Sequence, residues 1–208
     1  MKHNINIPGW NGNEILNVIG EYAAAVPENG NILELGALFG RSTYSLGHNK
    51  KDSVKLTSID IWSDILMKNH VAVNYHDGHT GPDELKLMLS KIVPDPDRIP
   101  GESFYELWKE YTTGIVNNEG IRSDTGLPNT SFPDFDFIFH DAAHDFRGVY
   151  SDLVHWFPKL KHNGVLIIDD YERSHFSGLC DAVDKFVKEC DLQTEMVTGR
   201  NILLKRKL

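Results

Sequence analysis

The stretch that most restricts how this chain can fold runs from Asp134 to Tyr171, DFDFIFHDAAHDFRGVYSDLVHWFPKLKHNGVLIIDDY. Two short apolar runs, Phe135–Phe139 and Val165–Ile168, are each followed by carboxylates: Asp141 after the first, Asp169 and Asp170 after the second. Between them Phe146, Val149, Tyr150, Leu153, Phe157 and Leu160 recur at spacings of three and four, the period of an amphipathic helix. Asn163-Gly164 then stops the helix before the second strand. Strand, helix and strand with short turns make a right-handed βαβ crossover, whose two strands are parallel and near neighbours, about 4.8 Å apart. Both strands therefore end on one edge of the sheet. Asp141 and the Asp169-Asp170 pair come to lie side by side at that carboxyl edge, where open α/β sheets bind ligands.

The flanking chain extends the pattern. Asn13 to Ala25 carries Ile15, Leu16, Val18, Ile19 and Tyr22 as an amphipathic helix closed by Pro27 and Gly30. Asn31–Leu35 is a short strand, the segment from Ser42 to Gly47 opens a helix, and Val54–Ile59 is a second strand ending in Asp60. Residues 63–133 are read as an insertion or lid-like region within one domain spanning 1–208. It holds helical patterns at Pro82–Ile92 and Glu102–Tyr111, three prolines between them, a brief strand at Ile121–Asp124 and a loop from Thr125 to Pro133. Gly178–Cys190 is helical, and Leu192–Val197 and Asn201–Lys205 flank Thr198-Gly199-Arg200 as a terminal hairpin.

Composition excludes several functions. A net charge of -9 gives no global field for nucleic acid, and no apolar run approaches a membrane span. Cys180 and Cys190 share one helical segment on different faces, which fits reduced thiols in a cytoplasmic protein.

Three groups of residues carry chemistry. In Glu34-Leu-Gly36-Ala-Leu-Phe-Gly40-Arg-Ser42 a strand feeds a glycine turn and a helix, so backbone can approach a ligand closely and helix N–H groups can face it. Leu38 stands between the glycines, so the motif is not the dinucleotide fingerprint, and it favours a smaller, carboxylate-bearing ligand. Glu34 suits a cationic group on that ligand. Asp60, at the end of the second strand, is placed to accept hydrogen bonds from ribose hydroxyls. Trp62 is a candidate either for packing on an adenine or for the core. The third group is Asp141, Asp169 and Asp170 with His144. Three converging carboxylates repel one another unless a cation such as Mg²⁺ or Ca²⁺ neutralises them, and His144, three residues after Asp141, is a candidate general base. The competing reading makes Asp141 merely the N-cap of the following helix.

On these residues the chain resembles the class I S-adenosylmethionine-dependent methyltransferases. Within them it is similar to the small O-methyltransferase family that includes macrocin-type sugar methyltransferases and relatives of cephalosporin hydroxylase. The resemblance rests on ILELGALFGRST, IDIW, the Asp134–Tyr171 stretch and the terminal helix and hairpin, roughly the first 62 and last 75 residues. It implies an α/β, Rossmann-like, seven-stranded and mostly parallel sheet with helices on both faces and a C-terminal antiparallel hairpin. It also implies that Glu34, Gly36 and Ser42, with Gly40 in the same turn, surround the methionine part of S-adenosylmethionine. Asp60 would hold the ribose, and Ser123 and Asp124 would lie near the adenine. In metal-dependent members the ligands correspond to Asp141, Asp169 and Asp170, and the base to His144. His140 departs from the family, whose members usually carry an apolar residue there. The expected activity is methylation of a hydroxyl on a small sugar-like or polyol acceptor with Mg²⁺ assistance. The insertion is a candidate for a homo-oligomer contact. Alternatives are a hydroxylase-like enzyme on the same scaffold, a nucleotide-dependent oxidoreductase and a non-catalytic binding protein.

Overall fold

The computed structural model describes residues 1–7, 9–62, 103–123, 125 and 132–207. In chain order the elements are α1 (Asn13–Ala25), β1 (Asn31–Leu35), α2 (Arg41–Asn49), β2 (Lys55–Asp60), α3 (Ser103–Tyr111), β3 (Asn118–Arg122), β4 (Phe135–His140), α4 (Phe146–Trp156), β5 (Leu160–Ile168), α5 (Ser177–Cys190), β6 (Gln193–Met196) and β7 (Ile202–Lys205). The strands form one seven-stranded sheet in the order β3-β2-β1-β4-β5-β7-β6. All neighbours from β3 to β5 run parallel, while β7 is antiparallel to both β5 and β6. This is the expected architecture.

Strand β1 is buried on both faces, as central parallel strands are, with Glu34 its one buried charged residue. Ile32 packs with Leu16 and Ile19 of α1, Leu46 of α2 and Phe137 of β4. Leu33 and Leu35 point the other way, into a core shared with Val149, Leu153 and Trp156 of α4 and Leu179, Val183 and Phe186 of α5. Each such fully buried Leu or Phe contributes about 1.5–3 kcal/mol. A third cluster, Ile7, Ala37, Phe39, Trp62, Phe104 and Trp108, joins α3 and the chain before α1 to the turn after β1.

Register decides where the strand ends fall. Leu35 pairs with Ile59 on one side and His140 on the other, and His140 pairs with Ile168. The residues that follow, Gly36, Asp60, Asp141 and Asp169, therefore line one edge. No helix among the described residues is long and apolar enough to cross a membrane.

Three local expectations change. The helix expected to reach Leu160 ends at Trp156, because Pro158 lies in a 3₁₀ turn at Phe157–Lys159 and cannot continue the α-helical hydrogen bonds. Leu160 instead begins β5, which pairs with β4 through a register shift between Phe135 and Phe137. The strand expected at Ile121–Asp124 lies earlier, at Asn118–Arg122, where it completes the sheet beside β2. The helix expected at Glu102–Tyr111 is α3, whereas Pro82–Ile92 and Asp124 lie outside the described residues.

His140 and Asp152 are both buried, and the imidazole Nε2 lies 2.9 Å from Asp152 Oδ2. The Thr125 hydroxyl donates to the same oxygen at 2.9 Å. One α4 carboxylate thus ties the end of β4 to the chain after β3. Asp152→Ala leaves both groups without that acceptor, and about 2–3 kcal/mol should be lost from the unfolding free energy. Chemical denaturation of the two proteins checks this, and equal midpoints would remove the role.

Candidate active site

The turn after β1 is held by backbone geometry. Gly36, Leu38 and Gly40 all lie in the left-handed region, with φ of 82°, 46° and 93°. A Cβ on Gly36 would stand 2.0 Å from the Asp141 carbonyl oxygen and 2.8 Å from Ala142 Cα, so only glycine lets this turn meet the turn after β4. At Gly40 a Cβ would press on Thr112 Cγ2 at 2.8 Å. Asp60 staples the turn from β2. Its Oδ2 accepts from the N–H groups of Ala37 and Leu38, both at 2.9 Å, and its Oδ1 accepts from Trp62 N–H at 2.9 Å. A carboxylate has about four acceptor positions, and these three bonds take up all but one of them.

Glu34 lies beneath that turn and is wholly buried. Its Oε2 accepts from the hydroxyls of Thr43 and Ser58, each at 2.6 Å, and Thr43 in turn accepts from Trp108 Nε1 at 3.1 Å. Oε1 is buried and accepts no hydrogen bond of good geometry among the described residues. Burial pushes the Glu34 carboxyl up to about 7, with the Ser42, Ser58 and Thr43 hydroxyls pulling it back and Asp60 adding to the rise.

Across the Gly36 contact lies the acidic cluster. Asp141, His144 and Asp170 offer ligand atoms that all lie within 4.8 Å of one another. His144 Nε2 is 3.0 Å from Asp170 Oδ2 and 3.8 Å from Asp141 Oδ1, and Arg200 donates to Asp170 Oδ1 at 2.5 Å. Asp169 is buried and differently engaged, accepting from Asn201 Nδ2 at 2.6 Å and from Asn11 Nδ2 at 2.7 Å. The same Asn11 nitrogen donates to Asp141 Oδ2 at 3.1 Å. Asp170 lies two residues beyond β5 with a left-handed φ of 58°, and its carboxylate faces His144. Burial and the charges of Asp169 and Asp170 push the Asp141 carboxyl well above the usual range, and burial with Asp170 raises that of Asp169.

The helix cap of α4 is Asp145, whose side chain accepts from Arg147 and Gly148 N–H. Asp141 is therefore released from the capping role that rivalled its place in the site. Ser42 is buried at the start of α2, beneath the turn. Trp62 is completely buried against Tyr105 and Trp108, and its Nε1 donates to Leu38 O at 2.7 Å, so of its two expected places the core one is occupied. Ile61, beside it, is exposed.

Several residues here escape sequence reasoning. Ser58 had a usable signal, since it is the register partner of Glu34. Asn11 and Asn201 had none, for nothing local ties either of them to the ends of β4 and β5.

Residues 33–171 match the model of a family described as a methyltransferase domain. No curated protein matches the chain. Among solved structures, the O-methyltransferase NovP superposes with a TM-score of 0.64 at 17% identity, covering 95% of this chain and 81% of its own. CalS11, a TDP-rhamnose 3'-O-methyltransferase of calicheamicin biosynthesis, gives 0.58 at 12% identity and covers 92% and 76%. A Staphylococcus aureus protein provisionally assigned as a caffeoyl-CoA O-methyltransferase gives 0.58 at 17%, covering 96% and 86%.

The buried Glu34 has a consequence for pH. Its folded value of about 7 lies above the ordinary 4.5, so its proton is held more tightly in the folded state. The stability this contributes is complete below pH 4.5 and is lost as pH rises through about 7. Glu34→Gln, which never ionises, should therefore be more stable than the native chain above pH 7, by up to about 3 kcal/mol, and should lose that advantage in acid. Urea denaturation at pH 5 and pH 8 checks the sign, and a pH-independent difference would contradict it.

Proposed function

The chain belongs to the methyltransferase-domain family, an S-adenosylmethionine-dependent class, and on that premise we propose that it methylates a hydroxyl of a small polar acceptor, sugar-like or polyol, with help from a divalent cation. The observation that carries this is the contact between Gly36 and the Asp141 backbone, which joins the cofactor turn of the family to an acidic cluster. NovP and CalS11 act as O-methyltransferases, the second on a sugar nucleotide, and both share the fold.

The donor chemistry around the turn fits S-adenosylmethionine. Glu34, with its buried Oε1, and the close-packed backbone of Gly36 and Gly40 would hold the methionine part, with Ser42 supporting them from α2. The remaining acceptor position of Asp60 would take a ribose hydroxyl. Trp62 supports the turn from the core, and the exposed Ile61 is the better candidate for the adenine. S-adenosylmethionine supplies an electrophilic methyl on a sulfonium. The protein's task is then to bring a deprotonated hydroxyl in line with it, which is mainly a matter of positioning.

The donors of the cluster fit a hard cation such as Mg²⁺. Asp141, Asp169 and Asp170 would hold it, and it would supply positive charge that lowers the acceptor's pKa. His144 takes the acceptor's proton at Nε2. Its present partner Asp170, whose Oδ2 stands 3.0 Å from that nitrogen, orients the ring. The grouping of His144 with Asp141 and Asp170 favours a second reading, in which Nε2 is a ligand in place of Asp169. One lone pair cannot serve both roles.

Calorimetric titration of S-adenosylmethionine, with Mg²⁺ and with EDTA, tests the cofactor, and absence of binding in both would remove this function. Asp141→Ala should lower turnover on a polyol acceptor by on the order of 10²–10³-fold while cofactor affinity stays nearly unchanged. His144→Ala should lower turnover about 10²-fold or more with little loss of metal affinity. A large loss of metal affinity instead would select the ligand reading.

A further inference from the structure

The chain before α1 reaches the acidic cluster through one side chain. Asn11 is almost completely buried, and its Nδ2 lies 3.1 Å from Asp141 Oδ2 and 2.7 Å from Asp169 Oδ2. Its backbone is not free to wander. The guanidinium of Arg41, at the first position of α2, donates from Nε to Ile7 O at 2.5 Å, from one terminal nitrogen to Asn11 O at 3.0 Å and from the other to Ile5 O at 3.0 Å. Ile7 is buried in the cluster that also holds Phe39 and Trp62. A half-buried arginine and a buried isoleucine thus deliver Asn11 to a defined place, and the same arginine follows directly on the Gly36–Gly40 turn.

That place has the spacing of a coordination shell. Oxygens in adjacent positions around an octahedral Mg²⁺, each about 2.1 Å from the ion, stand about 3.0 Å apart. The Asn11 amide terminus stands at nearly this distance from one oxygen of Asp141 and one of Asp169. Which end of a carboxamide faces its surroundings is set by their charge. Two carboxylates alone draw the NH₂ end; a cation beside them draws the oxygen. A half-turn about the Cβ–Cγ direction of Asn11 exchanges the two ends without moving the backbone that Arg41 holds.

Resting on the divalent-cation reading above, we infer that Asn11 is a further oxygen ligand of the cation bound by Asp141 and Asp169, delivered by the segment that Arg41 ties down. The amide is a donor that quiets the carboxylate pair without the ion and an acceptor with it. The segment before α1 is then part of the site.

Direct Mn²⁺ binding, followed by electron paramagnetic resonance on the full chain, tests this without reference to activity. Asn11→Ala should weaken Mn²⁺ about tenfold, and Asp141→Asn should abolish binding. Because the alanine variant also loses hydrogen bonds that hold the segment, Asn11→Asp is the second test. It keeps an oxygen and cannot donate, and it should bind Mn²⁺ at least as tightly as the native chain. Unchanged or tighter binding by Asn11→Ala would show that the amide only competes with the ion, and weaker binding by Asn11→Asp would exclude a ligand oxygen. Either overturns the inference alone. A native chain that binds no Mn²⁺ overturns the cation reading with it.

Discussion

The close approach of Gly36 to the Asp141 carbonyl is the constraint on which the site depends. Two backbones meet there with no room for a methyl group between them. Because β1 and β4 are adjacent parallel strands in fixed register, the turns leaving them must pass each other, and a side chain at Gly36 would push them apart. The contact places the Gly36–Gly40 turn directly against the acidic cluster. The glycine turn and the carboxylates after β4 are thereby positioned by the sheet itself.

Strain and its compensation follow from that arrangement. Leu38, Trp62 and Asp170 adopt left-handed backbone conformations that side chains resist, at about 1–3 kcal/mol each. Two of them are held by Asp60, which accepts from the N–H groups of both Leu38 and Trp62. The third lets two sequential aspartates serve one edge, Asp169 turned to Asn11 and Asn201 and Asp170 to His144 and Arg200. Behind the turn, α3 and the chain before α1 cover Phe39 and Trp62 with apolar surface.

Charge is the second theme. Buried carboxylates are costly unless they are paired or hydrogen-bonded, and each here has a different solution. Glu34 takes hydroxyl donors from α2 and β2 and a carboxyl pushed up to about 7. Asp60 takes backbone donors. Asp141 and Asp169 share one amide nitrogen from a segment more than a hundred residues away in sequence.

The sequence by itself determined the parallel core, the glycine turn and the meeting of Asp141 with Asp169 and Asp170, because period, turn residues and crossover handedness are local rules. Periodicity also carried α4 too far, since Leu160 satisfies a helical spacing while Pro158 forbids the hydrogen bonds. The capping rule left Asp141 ambiguous until Asp145 was found to accept from the first turn of α4. Only the tertiary structure decided that Trp62 is core, that β3 begins at Asn118, and that Asn11, Arg41, Arg200 and Asn201 reach the site. Those residues come from the chain before α1, from the start of α2 and from the terminal hairpin, and only the packing of these elements over one sheet edge brings them together. Local pattern sets which strand end bears a charge; long-range packing sets which donor answers it.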